Sequence, residues 1–372
     1  MILYIIPFII AIYGTIKYDI CQEKDYGKSQ IFVCLYFYLV LLIGLRYMVG
    51  GDSYFYMIYF NNLPTTNMFD ISWDSEYQPL FSLFAAIAKS IYPSFTSFQI
   101  LHSIIVNSVL FIFISKNSKF PYFTIFLCLL MFYINFTVEI LRESLAIMVF
   151  IINYKSFENN KWIKYYLGVF VAVMFHLSAI FLIILPFLKF LRLNKIYLLI
   201  LVVAFIVLNQ MNYLFTLLEN VEKIGKKAND YSEASYGWKS TALFFITRTL
   251  IPVGLLMWAK FKYKINIKYE SLICAFGLLG VFSIFNNIIF TRFTNYLFLF
   301  YCVSLSEVLI PIFRQRILTV NKFLVVITFV LAILSYGYIS FYWPVRYYEK
   351  WIPYYSVFSN EAENNKFINR DN

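Results

Sequence analysis

Long apolar runs alternate with short polar gaps along almost the whole chain. A helix that crosses a bilayer needs about 20 apolar residues, or about 17 at the short end. By that measure the pattern predicts helices near 1–16, 29–47, 97–115, 121–138, 140–154, 162–175, 177–191, 196–210, 241–260, 269–287, 294–313 and 320–341. The run 79–92, PLFSLFAAIAKSIY, is short and carries Lys89, so it reads as a re-entrant or interfacial helix. The first 16 residues lack a basic n-region and an A-x-A site and read as a retained helix. The expected fold is an all-α polytopic membrane protein with about 12 transmembrane helices. A single transmembrane domain is expected over 1–341, with outer loops at 48–78 and 211–240. The tail 342–372 is expected to be extracytoplasmic, with a polar, disordered end.

Composition removes the alternatives. Of 372 residues, 61% are apolar and 14% charged, against about half and about a quarter in soluble domains. One globular core cannot hide that much apolar surface. A secreted disulfide scaffold, a coiled coil, a disordered chain and a nucleic-acid-binding module are excluded. The five cysteines form no C-x-x-C pair and lie mostly in apolar runs, as structural thiols do. The net charge of +11 does not imply nucleic acid, because the lysines occupy short gaps where membrane topology needs them. Lys17, Lys24 and Lys28, then Lys116 and Lys119, then Lys155, Lys161 and Lys164 mark gaps on one side, which is therefore cytoplasmic. The opposite gaps are longer and richer in acid, and both termini are expected to face outward.

Arginine departs from this lysine pattern. Arg46, Arg142, Arg248 and Arg292 fall at or near four separate outer helix ends. Guanidinium presents a planar fork that meets two phosphate oxygens at once, which ammonium cannot do. Each arginine alone fits snorkelling to headgroups, but four together oppose the topology rule. They suggest an anion site at the outer leaflet, with a lipid-linked pyrophosphate as the natural candidate. His176 lies between 162–175 and 177–191, at a hairpin tip below the outer surface. It fits either a hydrogen-bonded core histidine or a general base on the floor of an arginine-lined cavity. Its reference pKa favours it as the base, with Asp52 as the alternative or as its orienting partner. Gly50 and Gly51 turn the backbone so that Asp52 returns toward Arg46. Glu139 and Glu143 flank Arg142 as candidate ion-pair partners, and His102 is expected to pack or hydrogen-bond between helices. Trp73, Trp238, Trp343 and Trp351 fit an interfacial belt as well as a sugar platform and stay outside the site. Asp52 could take a divalent ion, but no ligand cluster accompanies it, so no cofactor is expected. Neither GxGxxG nor a Walker loop is present.

RYMVGGDSYFY, EYQPLFSLF, ILRESLAIM, MFHLSAIFLIILP, TRFTNY and IPYYSVF occur in that order. Together they resemble the EpsG-like family of membrane exopolysaccharide and O-antigen (Wzy-type) polymerases. The resemblance matches family motifs to Arg46, Gly50 and Asp52; to Arg142, Ser144 and Ala146; to His176, Ser178 and Ala179; and to Arg292 and Tyr296. It implies an architecture similar to C-type glycosyltransferases, in the cytoplasmic membrane of a bacterium. It also implies polymerisation of undecaprenyl-pyrophosphate-linked oligosaccharides as donor and acceptor, with other polysaccharide-assembly proteins as candidate partners. Two other readings compete: a flippase for lipid-linked oligosaccharide and a membrane acyltransferase acting on polysaccharide. A transporter should carry charge near mid-membrane, and an acyltransferase a cytoplasmic His motif. The charges here sit mainly at outer ends, and the cytoplasmic gaps hold no His.

Overall fold

Three apolar runs form helices long and apolar enough to cross a bilayer: Ile2–Ile20, Gly27–Gly44 and Phe95–Asn117. The last, at 23 residues, rises about 34 Å, against a hydrocarbon core of about 30 Å. A fourth span results if Ile289–Asn295 and Phe298–Arg314, bent by 58° at their junction, cross as one. The computed structural model describes residues 2–64, 77–218, 242, 245–284, 287–314, 323, 327 and 351–358. Among these, regular structure is helical, with one isolated antiparallel bridge. The chain is a multi-pass membrane protein and forms two compact units: Met1–Ile183 with Phe341–Asn372, and Ile184–Ser340.

The first unit contains α1 (Ile2–Gly14, continued by a π turn to Ile20), α2 (Gly27–Gly44), α3 (Ser53–Asn62), α4 (Pro79–Ile91), α5 (Phe95–Asn117), α6 (Pro121–Met131), α7 (Leu141–Glu158) and α8 (Trp162–Val173). Ser94 starts α5 by accepting from the Thr96 N–H, and Pro begins both α4 and α6, where its missing N–H costs nothing. α5 packs between α2 and α7. Its buried polar residues Gln99, His102, Ser103 and Asn107 recur at helical spacing and share the inward face. His102 Nε2 reaches Ser144 Oγ at 2.9 Å and Leu141 O at 3.2 Å, tying α5 to α7 as expected. Lys89, near the end of α4, donates to the carbonyls of Phe60, Asn61 and Leu63 at 2.6–2.9 Å. It thereby satisfies the C-terminal carbonyls of α3 and opposes that helix's negative end.

The second unit contains α9 (Lys195–Leu218), α10 (Ile251–Tyr263), α11 (Glu270–Phe282), α12 (Asn287–Asn295) and α13 (Phe298–Arg314). Lys260 on α10 pairs with Glu270 on α11 and donates to Leu193 O at 2.9 Å. Tyr197 on α9 donates to Cys274 O at 2.8 Å.

Several expectations change. Length and apolarity among the described residues pick out three spans, or four with the bent pair, beside five shorter apolar helices, and do not by themselves establish twelve. The run 177–191 is not a spanning helix but two short 3₁₀ segments, Leu177–Ile183 and Leu185–Leu188. Pro186 explains this, since it removes an N–H and disfavours helical backbone before it. The run 121–138 breaks after Met131 and ends in the π turn Asn135–Glu139. The segment 79–92 is helical over 13 residues, about 20 Å and short of a span, as expected. Most of 320–341, the central part of loop 48–78, loop 219–240 and the tail beyond 358 lie outside the described residues.

Candidate functional site

The site begins where α2 ends. After Gly44 the chain leaves the helix and pairs with the segment 355–357. The Tyr47 N–H donates to Tyr355 O, and the Val357 N–H to Leu45 O, both at 2.9 Å. Arg46, central in this bridge opposite Ser356, turns inward and is 1% exposed. One Nη1 bond goes to Ile43 O, while Nε and Nη2 have no partner among the described residues. Buried guanidinium donors left open are costly and call for an acceptor. Tyr4 and Tyr354 stack edge-to-face beside it, with centroids 5.7 Å apart.

Gly50 then adopts φ +114°, a conformation that side chains rarely take. A Cβ there would meet Val138 Cγ1 at 2.8 Å and Ser53 Oγ at 2.9 Å. The tight turn aims the Gly51 N–H at both oxygens of buried Glu139, each at 2.9 Å. Glu139 also accepts from Trp351 Nε1 at 2.6 Å. The carboxylate therefore clamps the Gly-Gly turn to the C-terminal segment. Flanking sequence suggested an ion pair with Arg142; instead the π turn carries Glu139 away to these two donors.

Asp52 follows the turn, exposed, at the N-cap of α3. One turn later Tyr56 presents its hydroxyl to Arg142 Nε at 3.4 Å. Arg142, half-buried in the first turn of α7, lies over the Tyr77 ring at 4.5 Å and reaches Gln78 Oε1 at 3.4 Å. Both bonds are long, and no carboxylate holds this arginine among the described residues. Two residues beyond Gln78, the Leu80 N–H donates to Met174 O at 3.0 Å, joining the start of α4 to the end of α8. His176 follows this junction, 8% exposed. Its Nδ1 lies 2.6 Å from Ser178 Oγ and accepts the Ser178 N–H at 3.3 Å. Where Nδ1 accepts this N–H, the proton of a neutral imidazole sits on Nε2.

The first unit thus connects Arg46, Asp52, Arg142 and His176 through one chain of contacts, although they span 130 positions in sequence. The other predicted residues belong to the second unit. Arg248 falls in the π turn Ile246–Leu250, with its side chain outside the described residues. Arg292 is half-buried on α12, and Tyr296 is fully buried at the bend before α13. Sequence reasoning missed Tyr56, Tyr77 and Gln78 as the walls around Arg142. Tyr56 is four residues after Asp52, one helical turn, and that spacing was the available signal. Trp351 is buried against Glu139 rather than standing in a belt; Trp73, Trp238 and Trp343 lie outside the described residues.

Residues 30–356 match the model of the EpsG family. No curated protein and no solved structure matches the chain.

Proposed function

This chain belongs to the EpsG family, a family of membrane polysaccharide polymerase-like proteins, and we propose that it is a glycosyltransferase using a lipid-pyrophosphate donor. It moves a growing glycan from undecaprenyl pyrophosphate to a hydroxyl of the next lipid-linked repeat unit, at the outer face of a bacterial cytoplasmic membrane. The glycosidic C–O bond to pyrophosphate breaks, a C–O bond to the acceptor oxygen forms, and the acceptor proton goes to a base. No nucleotide is required, because the donor carries its own leaving group.

The observation that carries this reading is Arg142. It is half-buried and stacked on Tyr77, and its hydrogen bonds among the described residues are two long ones to neutral groups. Such a guanidinium keeps donors available for phosphate oxygens, and a fixed donor favours charge that develops on the leaving pyrophosphate. Arg46 adds positive field and two open donors behind the Gly-Gly turn. Arg248 and Arg292, with Tyr296 in the same family motif as Arg292, are kept as candidate substrate-binding residues of the second unit.

The Ser178 contacts support a division of the acid–base roles. His176 with Nε2 protonated is a donor, suited to a departing or ring oxygen. Asp52, exposed at the start of α3, then takes the acceptor proton as base. The test is polymer length in a strain lacking the native gene, complemented at matched membrane expression. Asp52→Asn should reduce polymerisation about 100-fold or more, while His176→Gln, which keeps a donor, retains a measurable fraction. Full chains from Asp52→Asn with none from His176→Gln would return the base to His176. Full chains from Arg142→Ala would remove the anion site.

A further inference from the structure

At the opposite end of α2 from Arg46, α2 and α5 part around a cavity of about 690 Å³. Lys28, at the start of α2, and Lys119, just past the end of α5, line it together with Ser29, Ser115, Phe32 and Tyr36. The nearest acid in sequence, Asp25, is already engaged by Lys17 at 2.7 Å and by the Lys28 N–H. No ion pair to Lys28 or Lys119 occurs among the described residues.

From this basic end an apolar stripe runs toward the middle of the membrane. Val33 on α2 and Ile112 on α5 line the cavity. Residues four apart on a helix share a face, so Val33 continues to Phe37 and Leu41, while Ile112 continues through Ser108 to Ile104. All five apolar residues are exposed, with Phe37 at 57% and Ile112 at 52%. The helices are antiparallel, so both stripes lead away from the lysines. Eight residues of helix give the stripe a length of about 12 Å. Between them the Tyr36 and Ser108 hydroxyls bond to each other at 2.9 Å, which removes them as competing polar groups.

We propose that this groove binds an anionic glycerophospholipid, its phosphate held between Lys28 and Lys119 and one acyl chain lying along the stripe. Two cations without acid partners select a net negative headgroup over a zwitterionic one. The groove's exposed apolar stripe lies on two helices long and apolar enough to cross a bilayer, where phospholipids are the most concentrated ligand, so mass action favours them over a scarce carrier lipid. The site does not depend on the polymerase reading, because it lies about 27 Å of helix from Arg46.

The experiment is native mass spectrometry of the full chain released from detergent, titrated with phosphatidylglycerol, phosphatidylcholine and undecaprenyl phosphate. Phosphatidylglycerol should bind at least tenfold more tightly than phosphatidylcholine. Lys28→Gln and Lys119→Gln should each weaken it about fivefold, and the double variant about 25-fold. Lys24→Gln, an equal change of charge on an exposed residue outside the groove, should change binding less than twofold. Equal affinity for the two phospholipids, or a double variant that binds as the native chain does, would overturn the proposal. So would undecaprenyl phosphate displacing phosphatidylglycerol at equal concentration, which would make the occupant a carrier lipid.

Discussion

Glu139→Gln isolates the clamp that holds the candidate site together. The native carboxylate serves two buried donors, the Gly51 N–H and Trp351 Nε1. Glutamine keeps the volume and one acceptor oxygen but replaces the other oxygen with an NH₂. Oε1 can still accept from both N–H groups, but the NH₂ then stands where Oε2 lies 2.9 Å from the Gly51 nitrogen, donor against donor. A buried donor without a partner costs about 1–3 kcal/mol, so the link between the turn and segment 351–358 should weaken by that amount. The amides of Tyr47 and Val357 report it, because they form the bridge between the two segments at 2.9 Å. If they exchange with deuterium through local opening, the loss corresponds to about five- to 150-fold faster exchange. Amides in the middle of α5 serve as the internal control and should not change. Exchange at Tyr47 and Val357 within twofold of native would refute the clamp. If polymerisation were nonetheless lost, Glu139 would belong to the chemistry instead.

Arg142→Lys should lower polymerisation about tenfold to 100-fold while leaving thermal unfolding in detergent nearly unchanged, since only the paired-oxygen grip is removed; a lysine variant with native chain length argues for charge alone. Gly50→Ala must force a side chain into φ +114° against Val138 and Ser53, costing about 1–3 kcal/mol; faster exchange of the Gly51 amide is the direct readout, and an unchanged rate would show that the turn relaxes freely. Lys89→Met leaves two α3 carbonyls and that of its C-cap Leu63 without their ammonium; α3 should destabilise by about 2–4 kcal/mol, seen as faster exchange at its C-terminal amides, with Lys89→Arg partly restoring protection.

Some of this protein was fixed by the chain itself. Apolar runs in water-poor surroundings must satisfy their own backbone, so a multi-pass helical membrane protein followed from composition and run length. The lysine gaps, the arginines that break their pattern and the Gly-Gly-Asp turn were also visible, because charge and backbone freedom are local properties. Tertiary structure decided what those residues meet. Run length could not show that Pro186 and the chain after Met131 break their helices, or that several apolar runs stop short of a span. Flanking position suggested an ion pair for Glu139, yet a π turn sends its carboxylate to an amide 88 residues upstream and an indole 212 residues downstream. Arg46 read as an open ligand and is sealed beneath a segment more than 300 positions away, whereas Arg142 stays half open among Tyr56, Tyr77 and Gln78. Such pairings are set by which buried donors and acceptors can reach one another once the helices pack, and sequence separation carries no information about that distance.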